Sequence, residues 1–290
     1  MRPIPRELLT DQIERLDALD GLAERVQKVV GQFVPEGTRI KDVLSGTWLG
    51  HPIHPVLTDL VVGAWTSAAI LDLVGGDRTA KASDRLVGVG VLSAVPTAAA
   101  GLSDWADLWG AQRRIGMVHA TGNSTALALY TLSWLARKSK KRGLGVALST
   151  LGYGAALLSA YLGGSLTYSK GIGVNQTAFE ESPTDWTAVY DEAQLPEGAP
   201  VMGRAGKVDI LLYKRDGRIN AILDKCAHRG CALHDGRIND GVTVTCPCHG
   251  STYRLDDGSV VQGPATSDQQ PFEVRVRDGK LEVRKRAEAG

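Results

Sequence analysis

Two short stretches decide the fold of the C-terminal part of the chain: Cys-Ala-His-Arg-Gly-Cys at residues 226–231 and Cys-Pro-Cys-His-Gly-Ser-Thr-Tyr at residues 246–253. Seventeen residues separate His228 from Cys246, so the pattern is C-x-H followed by C-x-x-H. Thiolate and imidazole are the ligands that borderline and soft transition metals prefer. Two loops that each offer one sulfur and one nitrogen therefore predict a metal centre.

The composition limits the other functions. The 290 residues include 33 basic and 32 acidic side chains, and the net charge of +1 argues against a nucleic-acid binder held by a positive field. The length allows about two domains. All four cysteines lie between Cys226 and Cys248, which favours a metal site, alone or with one bridge, over a scattered disulfide scaffold.

The pattern of apolar residues and turn signals around this motif predicts an all-β domain. Alternating apolar residues at Val208–Tyr213 and Phe272–Val276 are typical of strands. Turn signals separate such stretches, and they are Asp216-Gly217, Asp257-Gly258 and Asp278-Gly279.

From about Trp186 to Arg284 the segment strongly resembles Rieske proteins. The resemblance implies a 2Fe–2S cluster, with Cys226 and Cys246 on an inner iron and His228 and His249 on an outer, solvent-facing iron. A zinc site built from the same ligand types is the alternative. It does not explain why each cysteine is paired with a histidine at these steps.

Further residues resemble the high-potential type found in cytochrome bc complexes. There, cysteines at the places of Cys231 and Cys248 form a disulfide, and hydroxyls at the places of Ser251 and Tyr253 donate to cluster sulfurs. Residues Gly263-Pro264-Ala265 resemble the proline loop that covers the cluster. One feature departs from that family, because its members usually carry a single membrane anchor.

The N-terminal half predicts four membrane spans. The stretches Leu86–Ser103, Ile115–Ala136 and Gly143–Ser169 contain no acidic or basic residue, and a fourth candidate runs from about Val56 to Val74. About 20 apolar residues of helix cross a bilayer core. Together with the His-Pro-Ile-His-Pro start at residue 51, these helices resemble a family of uncharacterised bacterial four-helix membrane domains, over about Leu44–Lys170.

The region before the spans predicts an amphipathic helix over Leu9–Phe33, either packed on the protein itself or lying at a membrane surface. The predicted organisation is this helix at 1–45, a four-span all-α transmembrane domain at 46–168, a linker at 169–185 and the Rieske domain at 186–285. No cleaved secretory signal is expected at the N-terminus.

Loop charge predicts the orientation in a cell membrane. The two loops that join spans one to two and three to four carry eight basic residues, against five on the opposite side. The positive-inside rule therefore places these loops in the cytoplasm, and both termini and the Rieske domain on the extracytoplasmic side. A disulfide between Cys231 and Cys248 would agree with that side.

Three histidines mark a second candidate site. With four antiparallel spans, His51, His54 and His119 all fall near one membrane face, and Asn123 shares a helix face with His119. Such groups could hold a transition metal or haem or contact a quinone. The alternative is that they cap helix ends and meet water at the interface.

We therefore expect a membrane-anchored Rieske protein that carries single electrons between quinol, or a membrane redox centre, and a partner protein. It would be an electron-transfer protein or a subunit of an oxidoreductase. The alternative is a ferredoxin-like component that supplies an oxygenase, with the membrane part only an anchor. A redox sensor is the third interpretation. No motif in the sequence identifies the electron donor, the electron acceptor or the oligomeric state.

Overall fold

The computed structural model describes residues 10–286, except for the side chain of Asp77. The first nine residues, where the predicted N-terminal helix begins and where a signal would lie, are outside this range. Seven α-helices are described in it: α1 Thr10–Glu14, α2 Asp20–Phe33, α3 Arg39–Ser45, α4 Ile53–Val74, α5 Gly76–Ala106, α6 Gly110–Lys138 and α7 Arg142–Gly164.

The chain divides into two compact units. The helical unit comprises Met1–Pro35 and Ile53–Ile172, and the second comprises Glu36–Pro52 and Gly173–Gly290. The short segment 36–52, which holds α3, thus belongs with the C-terminal domain and not with the helices on either side of it in sequence.

Three of the four long helices are apolar enough to span a membrane: Ile53–Val74, Arg78–Ala106 and Arg142–Ser169. The last of these ends in a π-helical turn at Ser165–Ser169. Helix α5 continues through Pro96. Helix α6 is not among the three, although residues 115–136 carry no charge. Hydroxyl, amide and imidazole side chains lower the mean hydropathy of α6. The lack of charged residues alone therefore made this helix look more apolar than it is.

The four long helices form two equivalent hairpins, α4–α5 and α6–α7, which the sequence analysis did not detect. Corresponding residues of α4 and α6 are 65 positions apart, namely His54 and His119, Trp65 and Tyr130, and Asp72 and Arg137. Corresponding residues of α5 and α7 are 62 positions apart, namely Gly90 and Gly152, Thr97 and Ser159, and Gly101 and Gly163. Trp65 and Tyr130 stack with ring centroids 3.8 Å apart in the core between the hairpins.

The predicted N-terminal helix is interrupted after Glu14, and a 3-10 turn at Asp17–Leu19 leads into α2. Arg114 holds the interruption, because its guanidinium binds the Glu14 carbonyl and the carboxylates of Asp17 and Asp20. Ile13 and Ala23 are buried against the ends of α5 and α6, as a helix packed on its own protein requires.

The C-terminal unit is built from ten short antiparallel strands in three sheets. Their bounds are β1 Thr187–Asp191, β2 Val201–Ala205, β3 Val208–Arg215, β4 Arg218–Leu223, β5 Arg237–Asn239, β6 Thr243–Thr245, β7 Thr252–Arg254, β8 Val260–Gln262, β9 Phe272–Arg277 and β10 Lys280–Lys285. The sheet orders are β1-β10-β9, β2-β3-β4 and β5-β6-β7-β8. An all-β fold is thereby confirmed.

Two predicted turns close hairpins in the expected way. Asp216-Gly217 joins β3 to β4 and Asp278-Gly279 joins β9 to β10, and all four residues have positive φ. Such a pair of left-handed residues matches the twist of the flanking strands. The third signal, Asp257-Gly258, lies in the longer connection between β7 and β8.

Candidate metal centre

The two motif stretches fold into loops of the same design. In the first, Cys226 N–H donates to the Cys231 carbonyl and Gly230 N–H donates to the Cys226 carbonyl, both at 2.8 Å. In the second, Cys246 N–H donates to the Ser251 carbonyl at 2.8 Å and Gly250 N–H donates to the Cys246 carbonyl at 3.2 Å. The two glycines have φ of +77°, a conformation that other residues rarely adopt.

A disulfide between Cys231 and Cys248 ties the loops together. This bond was implied only by the resemblance, and the structure confirms it. The free thiols Cys226 and Cys246 are buried. The sulfurs of Cys231, Cys246 and Cys248 lie within 4.8 Å of one another, but two of them are in the disulfide, so this trio is not a metal site.

The two free thiols are close enough to share a hydrogen bond. That bond lowers the pKa of Cys226 to about 6 and raises the pKa of Cys246 above its usual range. The shared proton leaves Cys226 as the more acidic thiol of the pair, and two adjacent sulfurs of this kind suit a metal centre, which binds thiolates and displaces the remaining proton.

The two imidazoles also form a pair. The rings of His228 and His249 are perpendicular, with centroids 5.0 Å apart, and their Nδ1 atoms are buried. Burial, followed by the charges of His249, Lys41 and Arg229, lowers the pKa of His228 well below its ordinary value. A neutral imidazole is the form that binds metal, so this donor set fits a cluster with two sulfur and two nitrogen ligands.

The environment of the histidines differs from the expectation of an outer, solvent-facing pair. His249 is only 8% exposed, and His228 is half-buried.

Both predicted hydroxyl residues lie at the centre. The hydroxyl of Tyr253, a fully buried residue, is 3.3 Å from the Cys226 sulfur. Burial first, and then the charge of Cys226, raise the pKa of Tyr253, so this phenol stays protonated and able to donate. Ser251 accepts a hydrogen bond from Ala265 N–H at 3.0 Å, which leaves its own hydrogen for another acceptor.

Three residues that support the ligand loops were not predicted from the sequence. Asp224 is buried beside the first loop and accepts hydrogen bonds from the backbone N–H (2.7 Å) and Nδ1 (2.6 Å) of His234. The Gln269 side chain, in the orientation that satisfies both its ends, accepts from Ala227 N–H and donates to the Lys225 carbonyl. Asp224 and His234 flank the first motif loop without belonging to its pattern, and Gln269 comes from a distant part of the chain, so no spacing rule marks them.

Two of the three membrane histidines occupy equivalent positions in the helical unit. His54 Nδ1 lies 3.0 Å from the Thr97 carbonyl and His119 Nδ1 lies 2.7 Å from the Ser159 carbonyl. A carbonyl only accepts, so Nδ1 donates in both rings and Nε2 carries the lone pair of the neutral form.

The rings rest on equivalent glycines. A Cβ on Gly101 would lie 2.7 Å from the His54 ring, and one on Gly163 would lie 2.9 Å from the His119 ring. Asn123 lies 3.0 Å from His119 Nε2, as the shared helix face predicts. His51 belongs to the other compact unit, where it is exposed and its Nδ1 lies 3.2 Å from the carbonyl oxygen of Pro52.

Comparison with known proteins identifies both parts of the chain. Residues 185–275 match the model of the Rieske 2Fe–2S domain, and residues 50–176 match that of a predicted membrane protein, DUF2231. The chain is 33% identical over 94 residues to the 3-phenylpropionate/cinnamic acid dioxygenase ferredoxin subunit of Photorhabdus laumondii, covering 31% of this chain and 85% of that protein.

A second relative belongs to a different system. The chain is 28% identical over 96 residues to the cytochrome b6-f complex iron-sulfur subunit of Chlorobaculum tepidum, covering 33% of this chain and about half, 51%, of that protein. Among solved structures, a chain in a complex of reduced oxygenase and oxidised ferredoxin of carbazole 1,9a-dioxygenase aligns with 27% identity and a TM-score of 0.33. The alignment covers 36% of this chain and 99% of that chain. This chain therefore belongs to the Rieske 2Fe–2S family through its C-terminal domain, which a membrane-protein domain of the DUF2231 type precedes.

Proposed function

We propose that Cys226, His228, Cys246 and His249 hold the 2Fe–2S cluster of this Rieske protein, an electron carrier attached to a membrane. The observation that carries the proposal is the pair of closed loops, which together offer two adjacent sulfurs and two adjacent nitrogens. When bound, such a cluster takes up and releases one electron, and its imidazole ligands raise its potential above that of all-thiolate clusters.

The residues around the ligands would hold the site rigid and favour the reduced state. The Cys231–Cys248 bond keeps the loops together, and Ser251 attaches the loop at Ala265. Tyr253 presents its hydroxyl to the Cys226 sulfur, where a hydrogen bond strengthens as the cluster gains negative charge.

The spectrum of the purified full-length protein tests the cluster. We expect iron, acid-labile sulfide and an absorption spectrum that dithionite bleaches. Colourless protein that contains zinc, or that contains no metal after purification under exclusion of air, would overturn the proposal.

For the electron donor we propose quinol or a membrane redox centre, and for the acceptor a partner protein. The disulfide and Tyr253 support this choice, because both belong to the high-potential pattern. The second candidate is the supply of an oxygenase, which the ferredoxin-subunit relative favours. A redox titration with a quinol analogue separates the two: a low potential with no reaction with quinol would leave the oxygenase role.

For the membrane part we propose that α4 to α7 each cross the bilayer, with the Rieske domain on the extracytoplasmic side. Three apolar helices and the stable disulfide support this arrangement. The domain limits that we propose along the chain are 1–45, 46–168, 169–185 and 186–285, with residues 36–52 packing in the same compact unit as the Rieske domain. Protease digestion of spheroplasts and of inverted vesicles tests the side, since the Rieske domain should be cut only in spheroplasts.

We further propose that His54 and His119 form a second redox site, binding haem between their Nε2 atoms or hydrogen-bonding a quinone. Their equivalent positions and matching carbonyl partners support it, because a carbonyl on Nδ1 orients an imidazole for a ligand at Nε2. His54→Ala and His119→Ala should abolish haem absorption or quinone binding, and His51→Ala should not. Bound haem or quinone that both variants retain would refute the site.

A further inference from the structure

Residues 36–52, which contain α3, attach to the loop at residues 263–265, and we refer to them as the cap segment. The carboxylate of Asp42 accepts a hydrogen bond from Gly263 N–H at 2.8 Å, and the hydroxyl of Thr47 donates to the Ala265 carbonyl at 3.1 Å. Ser251, between the second ligand loop and β7, binds Ala265 N–H. The loop is thus held by the ligand region through one backbone group and by the cap segment through two others.

The cap segment also reaches the second ligand loop directly. A Cβ on Gly250, the residue after His249, would lie 3.7 Å from the Cβ of Glu36, and one on Gly263 would lie only 2.2 Å from the Thr47 hydroxyl. Small residues at these two positions therefore permit the close approach. The segment thus packs directly beside His249, a residue that is only 8% exposed.

Lys41 is the central residue of this segment. Its side chain is 2% exposed, and its charge acts on His228. The backbone places it firmly: Thr38 caps α3 by accepting from Lys41 N–H, and Gly46 ends the helix in the left-handed conformation. Burying an ammonium group costs free energy unless a negative charge compensates it.

We propose that the cap segment shields the cluster ligands from solvent and that Lys41 is a positioning residue that raises the reduction potential. This inference rests on the proposed cluster. With two thiolates and two neutral imidazoles, an oxidised 2Fe–2S cluster has no net charge and a reduced one has a single negative charge. A fixed cation in a site of low dielectric constant stabilises the reduced form selectively.

The test is a redox titration of the full-length protein. Circular dichroism or electron paramagnetic resonance of the cluster reports its oxidation state at each potential. Lys41→Met removes the charge with little change in volume, and we expect the reduction equilibrium to fall at least tenfold, which is 59 mV for one electron. Lys41→Arg keeps the positive charge, so its midpoint potential should lie close to that of the unaltered protein. Lys207→Gln, at an exposed turn of the same unit, should leave the midpoint unchanged.

Because replacing the buried residue Lys41 could impair folding, a second variant tests the cap segment with Lys41 unchanged. Asp42→Ala combined with Thr47→Val removes both hydrogen bonds to the loop while leaving Lys41 in the chain. We expect a lower midpoint and faster hydrogen exchange of the Gly263 amide. A midpoint that stays unchanged in folded Lys41→Met would overturn the inference, and so would an unchanged midpoint in the double variant if Lys41→Met does not fold.

The outcomes separate this inference from the proposed function. Protein without the iron–sulfur signal would refute the cluster assignment itself. A normal signal whose midpoint ignores residue 41 would leave the carrier intact and refute only the role of the cap segment.

Discussion

The guanidinium of Arg137 binds the carboxylate of Asp72, with Nη2 2.5 Å from Oδ2, and both side chains are almost fully buried. These residues occupy equivalent positions in the two helical hairpins, so one ion pair joins the two copies. Arg137 also binds Asp84, Ser83 and Ser149, and thereby touches α5 and α7 as well.

Replacing Arg137 with Met should destabilise the helical unit strongly, because it leaves the Asp72 carboxylate buried beside one remaining, partly exposed arginine, Arg142. Breaking a buried pair costs about 3–5 kcal/mol. Thermal unfolding of the helical unit is measured by circular dichroism at a wavelength that reports α-helix. The double variant Arg137→Met/Asp72→Leu should recover much of the loss, and equal instability of both variants would contradict this account.

Replacing Tyr253 with Phe should lower the midpoint potential, because the reduced cluster loses a hydrogen bond at the Cys226 sulfur. A loss of about 1.4 kcal/mol in preference for the reduced state corresponds to about 59 mV. Tyr190→Phe, in the other core of the same unit, is the control. A shift as large in that control would show that the effect is not specific to the sulfur contact.

Removing the disulfide with Cys231→Ala/Cys248→Ala should shorten the lifetime of the cluster in air, since the two loops are then joined only through the fold. Crosslinking residues 17 positions apart stabilises by about 3 kcal/mol. Unfolding temperature and bleaching rate are measured together. If both match the unaltered protein, the bond does not hold the site.

Replacing Gly90 with Ala should disturb the stack of Trp65 on Tyr130. The added Cβ would lie 2.1 Å from Trp65 Nε1, and such overpacking costs about 1–3 kcal/mol. Tryptophan fluorescence and thermal unfolding report the change. Gly63→Ala, on α4 with open space around it, is the matched control and should be close to neutral.

The contact of α2 with the start of α6 should survive mild acid. Hydrogen bonds from Arg114 and then Arg113 lower the pKa of Asp20 from 3.8 to about 2. A lowered carboxyl pKa stabilises the fold above 3.8, and the contribution is lost as the pH falls through about 2. A carboxyl-labelled NMR titration should find this value in the intact protein and one nearer 3.8 in Arg114→Gln.

The amino-acid sequence by itself determined the two classes of structure and the chemistry of the centre. The types and spacing of Cys226, His228, Cys246 and His249 predicted a metal centre, because ligand chemistry restricts which residues can occupy such positions, and the resemblance to Rieske proteins implied the 2Fe–2S cluster. Turns such as Asp216-Gly217 were equally readable, since their backbone conformation is a local property.

Only the tertiary structure brought distant segments together. Lys41 and Asp42 precede the spans, and nothing local links them to Gly263, 221 positions away. The equivalence of His54 and His119 was likewise hidden, because the hairpins share few identical residues and reveal their relation through shared partners. Packing between segments far apart in sequence depends on the sum of many weak contacts, whereas ligand spacing and turn geometry depend on a few adjacent residues.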